Sequence, residues 1–360
     1  YDAVDFDDMV YRVYQAFSSG ESAPEAYDLV LIDEYQDFNR LEAGFIGHLG
    51  TSSPILIAGD DDQALYARLR ASSCEYIRLL HADDEYEVFE LPFCLRCPEV
   101  VVEAVGDVIQ NAQALGKLQG RIPKPYRYFP PAKGADSALY PRIRVVKTSV
   151  QRDGAANYMG KYIERAISGI PVEEIEQANS QGYPYALVIA SDPYRRQVVA
   201  HLRQAGFLVD TKRDDRESLS RERGLALLKE HPEANLGWRI MLELDSPDFL
   251  QEAIGKTAGA DVALVDVVPS EYRDRVLREV EAYAPPDSGD HEAPVHEPDP
   301  GRRVMVTSYE GAKGLSAQHV FLAGLHNGDM PSHPDDIQDL EICRFIVGLT
   351  RTRKSCTLIY

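Results

Sequence analysis

The sequence predicts an α/β fold built on parallel sheets, and three observations carry that expectation. Short runs of Leu, Val and Ile end abruptly in acidic or polar residues, as at Leu29-Val30-Leu31-Ile32-Asp33-Glu34 and Ile55-Leu56-Ile57-Ala58-Gly59-Asp60. Buried parallel strands read this way when their carboxyl ends open into a crevice. Helix-spaced apolar residues stand between such runs: Val100, Val101, Ala104, Val105 and Val108, and later Val198, Val199 and Leu202 with Gly206 as a stop. Strand-like runs then return near the carboxyl end of the chain, at 304–309, 320–325 and 356–360.

The first strand delivers Asp33-Glu34-Tyr35-Gln36-Asp37. Two adjacent carboxylates at a strand end suit phosphate chemistry. One can hold Mg²⁺ through water while the other orients and deprotonates an attacking water. A core strand followed by an acidic loop is the plain alternative. The second strand, from Pro54, runs into Gly59-Asp60-Asp61-Asp62-Gln63-Ala64-Leu65-Tyr66. A third candidate is Leu91-Pro92-Phe93-Cys94-Leu95-Arg96-Cys97-Pro98. Strands are also expected at Ile143–Val146, Tyr185–Ala190 and Phe207–Val209, with a helix from Pro193 to Ala205. Downstream come Val304 to Leu315, containing Thr307-Ser308 and Lys313-Gly314-Leu315, then Phe345 to Arg353, containing Leu349-Thr350-Arg351.

Between Arg213 and Gly301 the pattern changes. Leu225, Leu227, Leu228, Trp238, Ile240, Met241 and Leu242 predict short packed helices, and 266–280 continues a weaker helical pattern. From Pro285 to Gly301 the chain is rich in Pro, Asp, Glu and His, the composition of a disordered linker. There is no internal repeat.

Taken in order, these segments resemble the UvrD/Rep family of superfamily 1 DNA helicases. The Asp33-Glu34-Tyr35-Gln36-Asp37 box, Gly59-Asp60-Asp61-Asp62-Gln63, Lys313-Gly314-Leu315 and Leu349-Thr350-Arg351 occur in the family's order, and Asp5-Phe6-Asp7-Asp8-Met9 is similar to the segment preceding its acidic box. The resemblance implies two RecA-like motor domains with parallel sheets, the first partial. Residues 1–91 would be the carboxyl-side part of the first, and 92–212 with 302–360 the second. A reduced helical insertion and linker would occupy 213–301. It implies an ATP-dependent 3′-to-5′ DNA helicase or single-strand translocase, a cytoplasmic DNA-repair type of enzyme that uses ATP and Mg²⁺ and has single-stranded DNA as its partner.

The resemblance also assigns roles. Asp33 is the Mg²⁺-side carboxylate and Glu34 the general base. Gln36 and Gln63 couple nucleotide state to the DNA side; an amide suits this because it can both donate and accept. Arg96 and Arg351 reach the γ-phosphate, for which a permanently charged fork is suited. For Arg351 alone, a solvated helix-end cation is the alternative. Lys313 and Gly314 meet the nucleotide, and Thr307 and Ser308 the DNA phosphates. Tyr66 and Arg68 lie on the DNA side, with a core tyrosine as the alternative for Tyr66. Departures from the family pattern are Arg68, Leu69 and Arg70 after Tyr66, Cys94 and Leu95 for Asn and Tyr, and Ser316 for Glu. They bear on strand grip, adenine stacking and ribose binding.

A phosphate-cradling loop needs Gly-x-x-x-x-Gly-Lys-Ser/Thr after a strand. Gly255-Lys256-Thr257 has the ending, but Leu250 stands where the first glycine belongs; Gly154 to Gly160-Lys161-Tyr162 has one residue too many. The expectation is a fragment of a longer helicase whose Walker A segment, a partner of this chain, lies upstream. The rival is a catalytically inactive helicase-like module that docks DNA or a protein. An unrelated α/β hydrolase ranks last for want of a nucleophile elbow.

Composition bounds these readings. At 360 residues and 44% hydrophobic, the chain can hold more than one core. Five cysteines, an odd count, suit reduced thiols in a reducing compartment. Cys94-x-x-Cys97 has no second pair at zinc spacing. A net charge of −20 permits DNA binding only along a local basic track. Candidates are Arg68 and Arg70, Arg195 and Arg196, and Arg121-Lys124-Arg127 with Tyr126, Tyr128 and Phe129. The last stretch also reads as a solvated, proline-rich crossover.

Overall fold

The computed structural model describes residues 6–66, 71–148, 157–211, 221–246, 249–250, 252–253, 263–283 and 303–360. Arg68, Leu69, Arg70 and the expected linker at 285–301 lie outside the described residues. The chain divides into two compact units, Tyr1–Lys212 with Glu297–Tyr360, and Arg213–His296.

The larger unit opens with α1 (Phe6–Ser19), β1 (Val30–Ile32), α2 (Arg40–Gly50), β2 (Ile55–Ile57) and α3 (Glu75–His81). Asn39 and Glu42 form a capping box that starts α2. β1 and β2 pair in parallel, Val30 opposite Ile55 and Ile32 opposite Ile57. Ile32, Ile55 and Ile57 pack on Tyr35, Ile46 and Ile77. Leu31 and Leu56, on the other face, are 67% and 54% exposed. This corrects the expectation of strands buried on both sides. Successive side chains of a strand point to opposite faces, and only one face here meets a layer of described residues.

The centre of this unit is a parallel six-stranded sheet in the order β5-β10-β9-β6-β8-β7. Its strands are β5 (Arg144–Val146), β6 (Ala186–Ala190), β7 (Leu208–Thr211), β8 (Arg303–Thr307), β9 (Ala317–Ala323) and β10 (Thr352–Ile359). The helices on its faces are α4 (Glu99–Ala114), α5 (Pro130–Leu139), α6 (Tyr158–Ser168), α7 (Val172–Ser180), α8 (Asp192–Gln204) and, later in the chain, the helix Asp339–Thr350. Leu187, Ile189, Val320 and Leu322 face α4 and the helix 339–350. Ala186, Val188, Phe321 and Ala323 face α6, α7 and α8. Burial on both faces explains why these strands read as unbroken apolar runs.

The third strand candidate shrinks to β3 (Phe93–Cys94), paired in parallel with β4 (Arg127–Tyr128) outside the large sheet. Pro92 and Pro98 bracket it and withhold backbone donors. β10 starts earlier than its apolar run because Arg353 and Lys354 bond internally, to Ser316 and Gln177.

The smaller unit holds α9 (Arg221–Glu230), α10 (Asn235–Asp245), a single turn at Leu264–Val267 and α11 (Ser270–Ala282). Leu228, Trp238, Met241, Leu242, Val276 and Val280 form its core. Gly237 is required there: a Cβ would meet the Leu228 side chain at 2.7 Å. Arg221 ties the helices by ion pairs to Asp245 and Glu279, each at 2.7 Å. The helix Asp339–Thr350 of the larger unit is called α12 below. Among the described residues no helix is long and apolar enough to cross a membrane.

Candidate functional site

The acidic box turns immediately after β1. Glu34 takes a left-handed backbone, φ 55° and ψ 37°, and starts a 3-10 turn over Tyr35–Asp37. Such a conformation costs a non-glycine residue about 1–3 kcal/mol and is found mostly where the surroundings enforce it, active sites among them. Asp33 and Glu34 are both exposed, and Asp33 Oδ1 accepts the Glu34 N–H at 2.8 Å. Gln36 is fully buried. Its Nε2 donates to Glu34 Oε2 at 2.5 Å, and its Oε1 accepts the Asp60 N–H at 3.0 Å. The sequence-predicted glutamine therefore connects the ends of β1 and β2.

Lys313 reaches the same place from the loop after β8. Its Nζ lies 2.5 Å from Asp37 Oδ2, 3.1 Å from Glu34 Oε2 and 3.0 Å from the Gln63 carbonyl. It also sits over the Tyr66 ring, 5.7 Å from the centroid. Next to it Gly314 has φ +76° with open space around the Cβ position, a backbone form that favours glycine. Tyr66 donates to the Glu310 carbonyl at 3.2 Å, so this tyrosine joins β2's loop to the loop after β8.

Arg351, just past α12, is 3% exposed. It donates to Gln63 Oε1 at 3.1 Å, to the Val347 carbonyl at 2.9 Å and to the Leu315 carbonyl at 3.3 Å. Burial, with the neighbouring Arg96 guanidinium, lowers its pKa to about 10, so it stays charged at neutral pH. A solvated helix-end cation is not what is found. Arg96 is half-buried and donates to the Thr350 carbonyl at 3.3 Å. Asp33, Glu34, Gln36, Gln63, Lys313 and Arg351 thus form one cluster, with Arg96 on its α12 side.

The residues assigned to DNA are less united. Thr307 is fully buried, and its Oγ1 has no hydrogen-bond partner among the described residues. It closes β8 inside the sheet and meets no solvent as positioned. Ser308 is half-buried and accepts the Gly311 N–H at 3.0 Å. The expected basic track is also changed. Arg121 grips Asp62 with two bonds of 2.7 Å. Lys124 lies 2.9 Å from Asp60 and 3.1 Å from Asp62 and also bonds Asp61. Arg78 pairs with Asp61 at 2.9 Å. Burial alone would raise the Asp61 pKa, but Lys124, the Ile122 N–H and Arg78 outweigh it and hold it below the usual carboxylate range.

Sequence reasoning missed Asp37 as the partner of Lys313, and Arg78, Arg121 and Lys124 as partners of the second acidic cluster. One signal was present: three consecutive acids at a strand end demand nearby cations, and Arg121-x-x-Lys124 supplies them. Two departures are also resolved locally. Leu95 is 61% exposed, and Ser316 accepts from Arg353 at 3.1 Å, with Arg353 stacked on Tyr183 at 4.2 Å.

Asp33 offers a single exposed carboxylate to a hard divalent cation. Mg²⁺ keeps several waters and is held by one or two carboxylates together with substrate phosphates. The Asp60-Asp61-Asp62 cluster is a poorer candidate, since three cationic side chains already neutralise it.

The site therefore sits on a parallel α/β fold, with acids at strand ends, glutamines between them and arginines from a second element. The family model of the UvrD/REP helicase N-terminal domain matches residues 1–83. The chain is 30% identical to DNA helicase II of Haemophilus influenzae over 120 residues, covering 32% of this chain and 16% of that protein. It is 25% identical to DNA helicase II of Escherichia coli over 222 residues, covering 59% of this chain and 30% of that protein. A probable DNA helicase II homolog of Mycoplasma capricolum is 36% identical over 70 residues, 18% of this chain and 10% of that protein. Over these stretches the chain is similar to UvrD/Rep-type DNA helicases. It spans at most 30% of the length of these relatives.

Proposed function

We propose that residues 1–360 are a motor fragment of an ATP-dependent DNA helicase or single-strand translocase, carrying the water-activating, coupling and arginine residues of a nucleotide site that a phosphate-cradling loop elsewhere in the protein completes. Residues 1–91 are read as part of a first RecA-like domain, 92–212 with 302–360 as a second, and 213–301 as a reduced insertion with its linker. The observation that carries this reading is the bonded path Glu34–Gln36–Asp60–Gln63–Arg351, which links the water-activating carboxylate to an arginine on the other side of the site.

In this reading Asp33 holds the Mg²⁺ of Mg²⁺–ATP, which when bound supplies charge neutralisation of the phosphates. Glu34 orients and deprotonates the attacking water, and Gln36 fixes the Glu34 carboxylate. Arg96 and Arg351 stabilise charge on the transferred phosphoryl group. Lys313 neutralises Glu34 and Asp37 at rest, so nucleotide entry has to rearrange its contacts. Gly314 meets the nucleotide beside Lys313, and Tyr66, Thr307 and Ser308 link that rearrangement to single-stranded DNA, with Arg68 as a further contact. The 3′-to-5′ polarity rests on the family resemblance alone.

The second reading is a helicase-like module that binds without turnover. It is favoured by the arrangement of Glu34, whose carboxylate is already engaged by both Gln36 and Lys313. The discriminating experiment uses the full-length protein: phosphate release with and without single-stranded DNA, beside Glu34→Gln. DNA-stimulated turnover that the substitution removes supports the motor. Salt-sensitive DNA binding with no turnover supports the module.

A further inference from the structure

Cys94 and Cys97 form a feature that the proposed function does not use. Cys94 ends β3 and is half-buried, while Cys97 is 0% exposed and precedes Pro98 at the start of α4. One hydroxyl serves both sulfurs: Tyr126 Oη lies 3.2 Å from Cys94 Sγ and 3.8 Å from Cys97 Sγ. The Cys97 N–H donates to Cys94 Sγ at 3.4 Å. Cys97 Sγ also donates to the Thr350 carbonyl at 3.5 Å, the same oxygen that Arg96 holds at 3.3 Å.

We propose that Cys94 and Cys97 are a reversible dithiol–disulfide site that reacts with small-molecule disulfides. The geometry distributes the two roles. Cys94 is the less buried of the two, and its sulfur accepts from the Cys97 N–H and the Tyr126 hydroxyl, donors that stabilise a thiolate. Cys97 is enclosed beside it, where only an intramolecular reaction can reach it.

The chemistry closes with oxidised glutathione as oxidant. The Cys94 thiolate attacks one sulfur of the disulfide; the Cys94–glutathione bond forms as the glutathione S–S bond breaks, and the departing thiolate takes the proton that Cys94 released. The Cys97 sulfur then attacks Cys94 Sγ, the mixed disulfide breaks, and the second glutathione leaves with the Cys97 proton. The protein loses two hydrogens, and one glutathione disulfide becomes two thiols.

The acidities run in the needed order. The adjacent Cys97 side chain is the largest influence on Cys94; with Tyr126 and backbone N–H groups it overcomes burial and lowers the pKa to about 5. The same contact, together with burial, raises Cys97 well above an ordinary thiol. Cys343 and Cys356 are buried and pushed up by desolvation, as expected of inert core thiols.

Oxidation removes the S–H that bonds the Thr350 carbonyl and confines Arg96 within a closed ring. An effect on turnover rests on the role proposed for Arg96 above; the thiol chemistry does not.

The test is to equilibrate the protein in glutathione buffers of graded redox ratio, quench with acid, alkylate and map the peptides. The expected result is a Cys94–Cys97 disulfide that forms and reverses with the ratio. Alkylation of reduced Cys94 should level off above about pH 6, whereas Cys74, a half-buried thiol whose pKa burial raises, keeps accelerating through about pH 8. Cys97→Ser should stop at a glutathione adduct on Cys94. Cys94 and Cys97 both remaining alkylatable at every ratio, with Cys94 following the Cys74 profile, overturns the proposal without need of any variant. In the full-length protein, a disulfide formed with turnover unchanged overturns the Arg96 consequence alone, which keeps the two failures distinguishable.

Discussion

Arg351 donates to the side-chain oxygen of Gln63 at 3.1 Å, and that bond ties the end of α12 to the end of β2. Gln63 in turn donates to Asp60 at 2.7 Å. The Asp60 N–H bonds Gln36, and Gln36 bonds Glu34. Amides suit the interior of such a path because each can donate at one end and accept at the other. A change at either terminus, charge at Glu34 or position at Arg351, has a bonded route to the other.

Glu34→Gln in the full-length protein is expected to lower turnover about a hundredfold or more, the usual loss for a positioned base. Nucleotide binding persists, and stability changes little because the Glu34 side chain is 50% exposed. Phosphate release beside equilibrium nucleotide binding checks both halves. Turnover near the parent rate contradicts the assignment.

Arg96→Ala and Arg351→Ala are each expected to reduce turnover by up to about a thousandfold. Their stabilities should differ. Arg351 is enclosed and satisfies several acceptors, so its removal costs about 2–4 kcal/mol, against about 1 kcal/mol for half-buried Arg96. Thermal denaturation beside single-turnover rates separates the effects. Retained turnover with large stability loss in both makes them structural cations.

Arg121→Ala leaves Asp62, 4% exposed, with Lys124 as its remaining cation. The expected cost is about 2–4 kcal/mol, because breaking a buried pair strands a charge. Adding Asp62→Asn should recover part of it. A double-mutant cycle in urea measures the coupling; additive losses would show that the two side chains act independently.

Acid stability should depend on Glu174. Burial opposes its ionisation, but bonds from His319 and Tyr140 and the charge of Lys354 lower its pKa from 4.5 to about 2. A depressed carboxylate contributes stability that is complete above its unfolded pKa and is lost as pH falls through the folded one. The window is therefore pH 4.5 down to about 2, with at most about 3 kcal/mol at stake. Denaturation midpoints across that range should fall steeply for the parent and less for Glu174→Gln. Equal slopes would assign the acid limb elsewhere.

Residues 1–360 by themselves are expected to release no phosphate from ATP at a meaningful rate. Neither glycine-lysine stretch has the spacing that lets backbone N–H groups wrap phosphates, and positioning supplies most of the catalysis in phosphoryl transfer. DNA-stimulated release that vanishes in Glu34→Gln would show that another element of this chain cradles the phosphates.

The sequence by itself determined the α/β class, the strands expected at 185–190 and 320–325, which are found at 186–190 and 317–323, and the acidic box at the end of β1. Those are local properties: a strand buried on both faces needs an unbroken apolar run, and a motif keeps its spacing whatever surrounds it. Tertiary structure decided which charges meet. Lys313 bonds Asp37 from 276 positions away, and Arg121 and Lys124, legible as a basic track, face Asp60, Asp61 and Asp62 instead of solvent. It also buried Thr307 and exposed Leu31 and Leu56, which carry no mark of this in the sequence. The physical reason is range. Periodicity acts between neighbours along the chain, whereas an ion pair depends on a few ångströms through space, and that distance is set by how the crossovers return each strand to the sheet.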